Sequence, residues 1–201
     1  MRVSLKDLET SCLQCQRCDL ANERKHVVIS RGHPSARLMV IGEAPGADED
    51  AQGRPFVGRS GRLLDACLME VGLDQEDDIY ICNLIKCRPP GNRRPTPVEL
   101  RACRPWLDRQ ILEVNPEVML ILGATATAAL LECRTPISRL RGQWTQWKGR
   151  FVMPSFHPSY LLRNPSREPG KPRSLFIADL TQVKDALNGV VSGLTPDSSD
   201  R

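Results

Sequence analysis

Eight cysteines lie in this 201-residue chain, and three of them, Cys12, Cys15 and Cys18, stand at three-residue steps in SCLQCQRCDL. The preceding MRVSLKDLETS has no apolar core of a secretory leader. The thiols are therefore expected in a reducing compartment, where a metal or cluster site is a better use for them than disulfides. A ferredoxin-type run would need a further cysteine at position 22, and that residue is Asn22. Two overlapping C-x-x-C pairs are left, Cys12/Cys15 and Cys15/Cys18. Either pair, completed by two distant thiols, suits tetrahedral zinc as well as an iron–sulfur cluster.

A second concentration of chemistry is GEAPGADEDAQGRPFVGRSG, residues 42–61, with five Gly, two Pro and the acids Glu43, Asp48, Glu49 and Asp50. A glycine-rich loop invites phosphate binding, yet neither G-x-G-x-x-G nor the P-loop pattern occurs, and the acids would repel a triphosphate. A neutral ligand the size of a nucleic-acid base fits better. Phe56 is a rare aromatic in this loop, since aromatic residues make up only 4% of the chain. Asn83 closes an apolar run, and His157, one of three histidines, opens HPSYLLRNP.

These residues need elements to position them. RLMVIGE (37–43), IYICN (79–83) and VMLILG (118–123) are short apolar runs of the kind that form buried strands. Leu63, Leu64, Cys67, Leu68 and Val71 fall at helical spacing and stop at Gly72. TPVEL offers Thr96 as N-cap and Pro97 as the first residue of a helix running to about Asn115, and ATATAALL follows the third strand. QWTQW and RFVMP are shorter strand candidates, and a last helix is expected over about 174–187. The alternation predicts a three-layer α/β/α sandwich around a mostly parallel, four-stranded sheet. One domain is expected over residues 1–190, with the polar tail 191–201 disordered. In such sheets ligands sit beyond the carboxyl ends of the strands, so the loops after Ile41, Cys82 and Met153 should meet. No apolar run reaches the ~20 residues of a membrane span, and no membrane partner is expected. The formal charge of +4 is unevenly placed: residues 134–173 carry nine Lys or Arg against Glu168 alone, and 84–109 carry seven against Glu99 and Asp108. Such local basic stripes suit a nucleic-acid surface.

GEAPG (Gly42–Gly46), GRPFVG (Gly53–Gly58), NLIKCRPPGNR (Asn83–Arg93) and HPSYLLRNP (His157–Pro165) occur in this order and cover most of residues 15–180. Together they resemble the motif blocks of the family 4, iron–sulfur uracil-DNA glycosylases. The resemblance implies that uracil is flipped out of single- or double-stranded DNA and its N-glycosidic bond hydrolysed, leaving an abasic site for base excision repair. By the same resemblance, Gly42, Ala44, Pro45 and Gly46 line the base, Phe56 stacks on it, and Asn83 offers a donor and an acceptor to its N3–H and O4 edge. His157 would donate to O2, where negative charge grows as the bond lengthens. Arg163, and Arg88 in the second basic loop, would meet DNA. The implied cofactor is a [4Fe-4S] cluster. The family order of Leu20, Arg24, Val27, Val28, Gly32 and Pro34, counted from Cys18, selects Cys15 and Cys18 as ligands with Cys87 and Cys103, and leaves Cys12 spare. Cys67 and Cys82 read as core thiols, and Cys133 is unassigned.

Two departures from the wider superfamily bear on mechanism. Better-known members carry an Asp where this chain has Ala44, so water activation falls to Glu43 or Glu49. A branch that forms a covalent histidine adduct with DNA carries a His-containing insertion, and RPPGNRRPTPVELRA has no His. Hydrolytic turnover is thus expected. The rivals are that covalent relative and a non-catalytic nucleic-acid-binding module with a four-cysteine metal site. A monomer is expected, cytoplasmic and nucleoid-associated in a prokaryote.

Overall fold

The structure is a computed structural model and describes residues 4–74 and 78–189. The expected tail, 191–201, lies outside the described residues. In chain order the helices and strands are α1 (Leu5–Leu13), α2 (Leu20–Glu23), β1 (Arg31–Gly32), β2 (Leu38–Gly42), α3 (Ala47–Gln52), α4 (Arg59–Glu70), β3 (Ile79–Asn83), α5 (Pro97–Val114), β4 (Val118–Leu122), α6 (Ala124–Leu131), α7 (Ile137–Leu140), β5 (Thr145–Trp147), β6 (Arg150–Ser155), α8 (Pro158–Arg163) and α9 (Pro172–Leu187).

The sheet runs β1-β3-β2-β4-β6-β5. Its inner four strands pair in parallel, and β1 and β5 run antiparallel at the two edges. The sheet is therefore six-stranded, not four-stranded. The four expected parallel strands form its centre, QWTQW supplies one edge, and β1 is too short, at two residues, to leave a pattern in the sequence.

β2, β3 and β4 are buried along their whole length, as a parallel sheet covered on both faces requires. Their side chains part with the strand period of two. Leu38, Val40, Ile79, Ile81, Val118 and Leu120 pack with Leu64 and Leu68 of α4 and Phe176 and Leu180 of α9. Met39, Ile41, Tyr80, Met119 and Ile121 pack with Leu107 and Ile111 of α5 and Ala126 and Leu130 of α6. Three layers result, and the inner strands finish at one common edge, with Gly42 level with Asn83 and Leu122 level with Ser155.

Local signals set the helix ends. Thr96 and Glu99 form a reciprocal capping box at the start of α5, and Asn115 ends it in the left-handed conformation (φ 48°). Five short helices stand where the sequence reading had loops or no element, α2 and α7 with four residues each among them. α1 is capped by Ser4 and Asp7, α3 lies inside the glycine-rich loop, and α8 lies inside the last loop. α3 and α8 have six residues each, too few turns for an apolar period to show.

Candidate active site

Beyond the carboxyl edge of the sheet, the loops after β2, β3 and β6 enclose a cavity of about 870 Å³. Glu43, Ala44, Pro45 and Gly46 line it, as do Phe56, Asn83, His157 and Arg163. Residues from four separate sequence blocks are brought together there because their strands end in register.

Gly42 is the last residue of β2, and its hydrogen-only side chain makes the packing possible. A Cβ at this position would lie 2.4 Å from Asn83 Oδ1 and 2.5 Å from Phe56 Cζ. Phe56 itself sits in left-handed backbone (φ 55°), a costly choice for a non-glycine residue. α4 clamps it: a Cβ on Gly61 would lie 1.8 Å from the Phe56 carbonyl oxygen. The strained turn thus holds the Phe56 ring against the end of the sheet. Asn83 is 2% exposed, and its carbonyl accepts a hydrogen bond from Lys86 Nζ at 2.6 Å. Lys86 is itself only 1% exposed, so this contact lies wholly inside the protein.

His157 caps α8, with Pro158 in the first turn. Its Nδ1 faces the Ser159 backbone N–H at 3.1 Å and the Ser159 hydroxyl at 2.8 Å. A backbone N–H can only donate, so Nδ1 is the acceptor and the ring proton resides on Nε2. Burial, reinforced by the nearby Arg163 charge, lowers the His157 pKa to about 4. The imidazole is therefore neutral at physiological pH. Its ring lies 5.9 Å from that of Phe56, tilted by 33°. Behind it, the buried Ser155 hydroxyl donates to Asp179 at 2.5 Å, and Asp179 also pairs with Arg141. This network anchors the end of β6 from which His157 projects.

The two glutamates differ in their surroundings. The Glu49 carboxylate accepts from the backbone N–H groups of Gly46, Val57 and Gly58 at 2.9–3.0 Å. It braces the glycine-rich loop against the Phe56 turn. Glu43 lines the cavity two residues before the loop's Pro45–Gly46 pair. Arg163 reaches the cavity, whereas Arg88 is not among its lining residues and pairs through Nε with Asn92 Oδ1 at 2.7 Å. Its neighbours Arg93 and Arg94 line the cavity instead. The sequence reading missed them, and it missed Ser159. Their signal was present in the basic stripe and in the HPS tripeptide, but nothing in one dimension says which member of a stripe faces inward.

Cys15, Cys18, Cys87 and Cys103 line a second cavity, together with Cys12. All are free thiols. Leu20, Val27, Ile85 and Trp106 supply apolar walls. Three sulfurs already have donors: Trp106 Nε1 to Cys15 Sγ at 3.2 Å, Arg24 to Cys87 Sγ at 3.4 Å, and the Lys86 backbone N–H to Cys103 Sγ at 3.3 Å. Burial pushes the Cys103 thiol up to about 11. Glu99 lines this cavity and pairs with Arg93, which lines the other, at 2.6 Å. Arg93 holds the Glu99 carboxyl down at about 2, so the bridge between the two sites is ionic at neutral pH. Cys67 and Cys82 are fully buried in the core, as expected.

Residues 29–181 match the profile of the Uracil DNA glycosylase superfamily. A type-4 uracil-DNA glycosylase of Thermotoga maritima is 45% identical over 176 residues, covering 87% of this chain and 90% of that protein. Type-4 uracil-DNA glycosylases of Sulfurisphaera tokodaii (38% over 171 residues, 81% of this chain and 78% of that protein) and Saccharolobus solfataricus (39% over 184 residues, 87% and 82%) are similar over comparable lengths.

Proposed function

The chain belongs to the uracil DNA glycosylase superfamily and acts as a uracil-DNA glycosylase, and from that premise we propose how its own residues remove the base. Uracil leaves the DNA stack and enters the cavity beyond the carboxyl edge of the sheet. Phe56 stacks on it. The Asn83 side-chain amide pairs with the N3–H and O4 edge, a pattern that cytosine reverses. Gly42, Ala44, Pro45 and Gly46 form the backbone wall against which the base rests.

His157 then supplies the main electrostatic assistance. As the N-glycosidic bond lengthens, electron density moves onto uracil O2 while the sugar becomes cation-like. A neutral imidazole donating Nε2–H gains strength as O2 becomes anionic, so it stabilises the transition state more than the ground state. Glu43 is the residue we assign to orient water toward the sugar. Glu49, whose carboxylate is engaged by three backbone amides, holds the loop. Arg163, with Arg88, Arg93 and Arg94 around the second basic loop, meets the DNA backbone. The chain would act as a monomer on single- or double-stranded DNA, at the nucleoid in a prokaryote.

The four thiols suit a [4Fe-4S] cluster on Cys15, Cys18, Cys87 and Cys103. One feature supports the fit: the sulfurs share one cavity with apolar walls, and those of Cys15, Cys87 and Cys103 receive N–H donors. When bound, the cluster supplies iron–thiolate bonds that tie the N-terminal segment to the loop beginning at Cys87, which carries the basic residues to the DNA side.

The observation that carries this reading is the convergence of a neutral, tautomerically defined His157 with Phe56 and Asn83 on one cavity. The test is base release from uracil-bearing oligonucleotides by wild type, His157→Ala and Asn83→Ala. Loss of at least about 100-fold in each variant is expected, on the scale of a removed transition-state donor. Full activity in both variants would overturn the assignment, and a protein–DNA adduct surviving denaturation would favour the covalent relative.

A further inference from the structure

The cysteine cavity holds one thiol more than a four-iron cluster needs. Cys12 lines it beside the four assigned ligands, and its side chain is 1% exposed, packed with Val27, Ile29 and Trp106. It is not a remote core thiol of the Cys67 or Cys82 kind. Trp106 links the two groups: it packs against the Cys12 cluster and donates its indole N–H to Cys15 Sγ.

We infer that Cys12 is a built-in reserve ligand for the iron–sulfur cluster, able to take the coordination position of Cys18. Three observations converge on that exchange. First, Cys12 and Cys15 form a C-x-x-C pair with the same spacing as Cys15 and Cys18, so a shift of ligand register leaves the bite of the pair unchanged. Second, Cys12 lines one cavity with Cys15, Cys87 and Cys103. These are the three ligands that remain when Cys18 is taken away. Third, Cys12 is buried whereas Cys15 and Cys18 are both half-buried, so a ligand open to alkylation or oxidation has a sheltered substitute three or six residues away. The Cys12 backbone carbonyl accepts from Cys15 N–H at 3.0 Å at the end of α1, and the turn this bond closes is where the short rearrangement would occur.

The exchange balances without an oxidant or reductant. Cys12 loses its S–H proton as its sulfur bonds to iron. The Cys18–iron bond breaks, and the released thiolate takes up a proton.

This inference rests on the cluster reading above, and the experiment separates the two. Cys12→Ala, Cys18→Ala, the double variant and Cys87→Ala are purified anaerobically, and iron, sulfide and the absorbance at ~400 nm are measured for each. The expected result is about four irons per chain in wild type, Cys12→Ala and Cys18→Ala. The double variant and Cys87→Ala should lose the four-iron content and most of the absorbance. Equal loss in Cys18→Ala and the double variant would overturn the reserve role, as would full retention in both. Iron-free wild type would defeat the cluster reading itself, and loss in Cys12→Ala with full retention in Cys18→Ala would show that Cys12, not Cys18, is the native ligand. Circular dichroism of each variant distinguishes cluster loss from failure to fold.

Discussion

Gly42→Ala is a single-methyl test of the active-site geometry. Gly42 lies outside the positive-φ glycines, so alanine meets no backbone obstacle there. The cost is purely one of space. The added Cβ would fall 2.4 Å from Asn83 Oδ1 and 2.5 and 2.8 Å from Phe56 Cζ and Cε2, each about 1 Å inside van der Waals contact. Relief must come from the side chains, because the register between β2 and β3 holds both backbones and Gly61 blocks retreat of the Phe56 turn. The overpacking should cost about 1–3 kcal/mol of stability, lowering Tm by roughly 2–10 °C for a chain of this size. Catalysis should suffer more: a reacting group displaced by about 1 Å loses on the order of 100-fold. The assay is kcat/KM for uracil release beside thermal unfolding, with Gly46→Ala as comparison, since its Cβ would meet the Glu49 carboxylate at 2.7 Å and neither Phe56 nor Asn83. A folded Gly42→Ala protein with activity within threefold of wild type would refute the claim that Phe56 and Asn83 must both occupy their observed positions.

Other outcomes follow from individual contacts. Lys86→Met removes the 2.6 Å donor to the Asn83 carbonyl and leaves that buried oxygen unpaired, costing about 2 kcal/mol; differential scanning calorimetry should show a fall in Tm, and an unchanged Tm would contradict the pairing. His157 has a pKa lowered to about 4 in the folded protein from an ordinary 6.5. The unfolded chain therefore takes up a proton that the folded chain refuses as pH falls from 6.5 toward 4, and this residue's contribution weakens folding across that window. The Tm of wild type should consequently drop relative to His157→Gln on going from pH 7 to pH 4.5, and a constant difference would speak against a buried neutral ring. Glu49→Ala frees three backbone amides and should reduce both Tm and activity, whereas Glu43→Gln should reduce kcat at unchanged Tm; identical behaviour of the two would erase the division of roles between them.

The parallel core was legible in one dimension because β2, β3 and β4 are buried on both faces, and burial on both faces writes an uninterrupted apolar run. α5 was legible from end to end, since Thr96, Pro97 and Glu99 act on backbone groups within a turn of themselves. β5 showed as QWTQW, but the edge strand β1 was not legible, because two residues carry no period. α3 and α8 escaped for the same reason. At the site, the motif blocks that resemble the family 4 glycosylases nominated Phe56, Asn83, His157 and the cysteines. Tertiary structure decided what each could do. The tautomer of His157 depends on a backbone N–H two residues away, placed by the turn into α8. The engagement of Glu49 depends on a loop folding back across eight residues to Val57. Arg93 rather than Arg88 faces the cavity because Glu99, in the first turn of α5, holds its guanidinium. Chemistry is a property of side chains and can be read from their identity. Direction, burial and partnership are properties of the packed chain, and they are set by contacts between residues that the sequence keeps far apart.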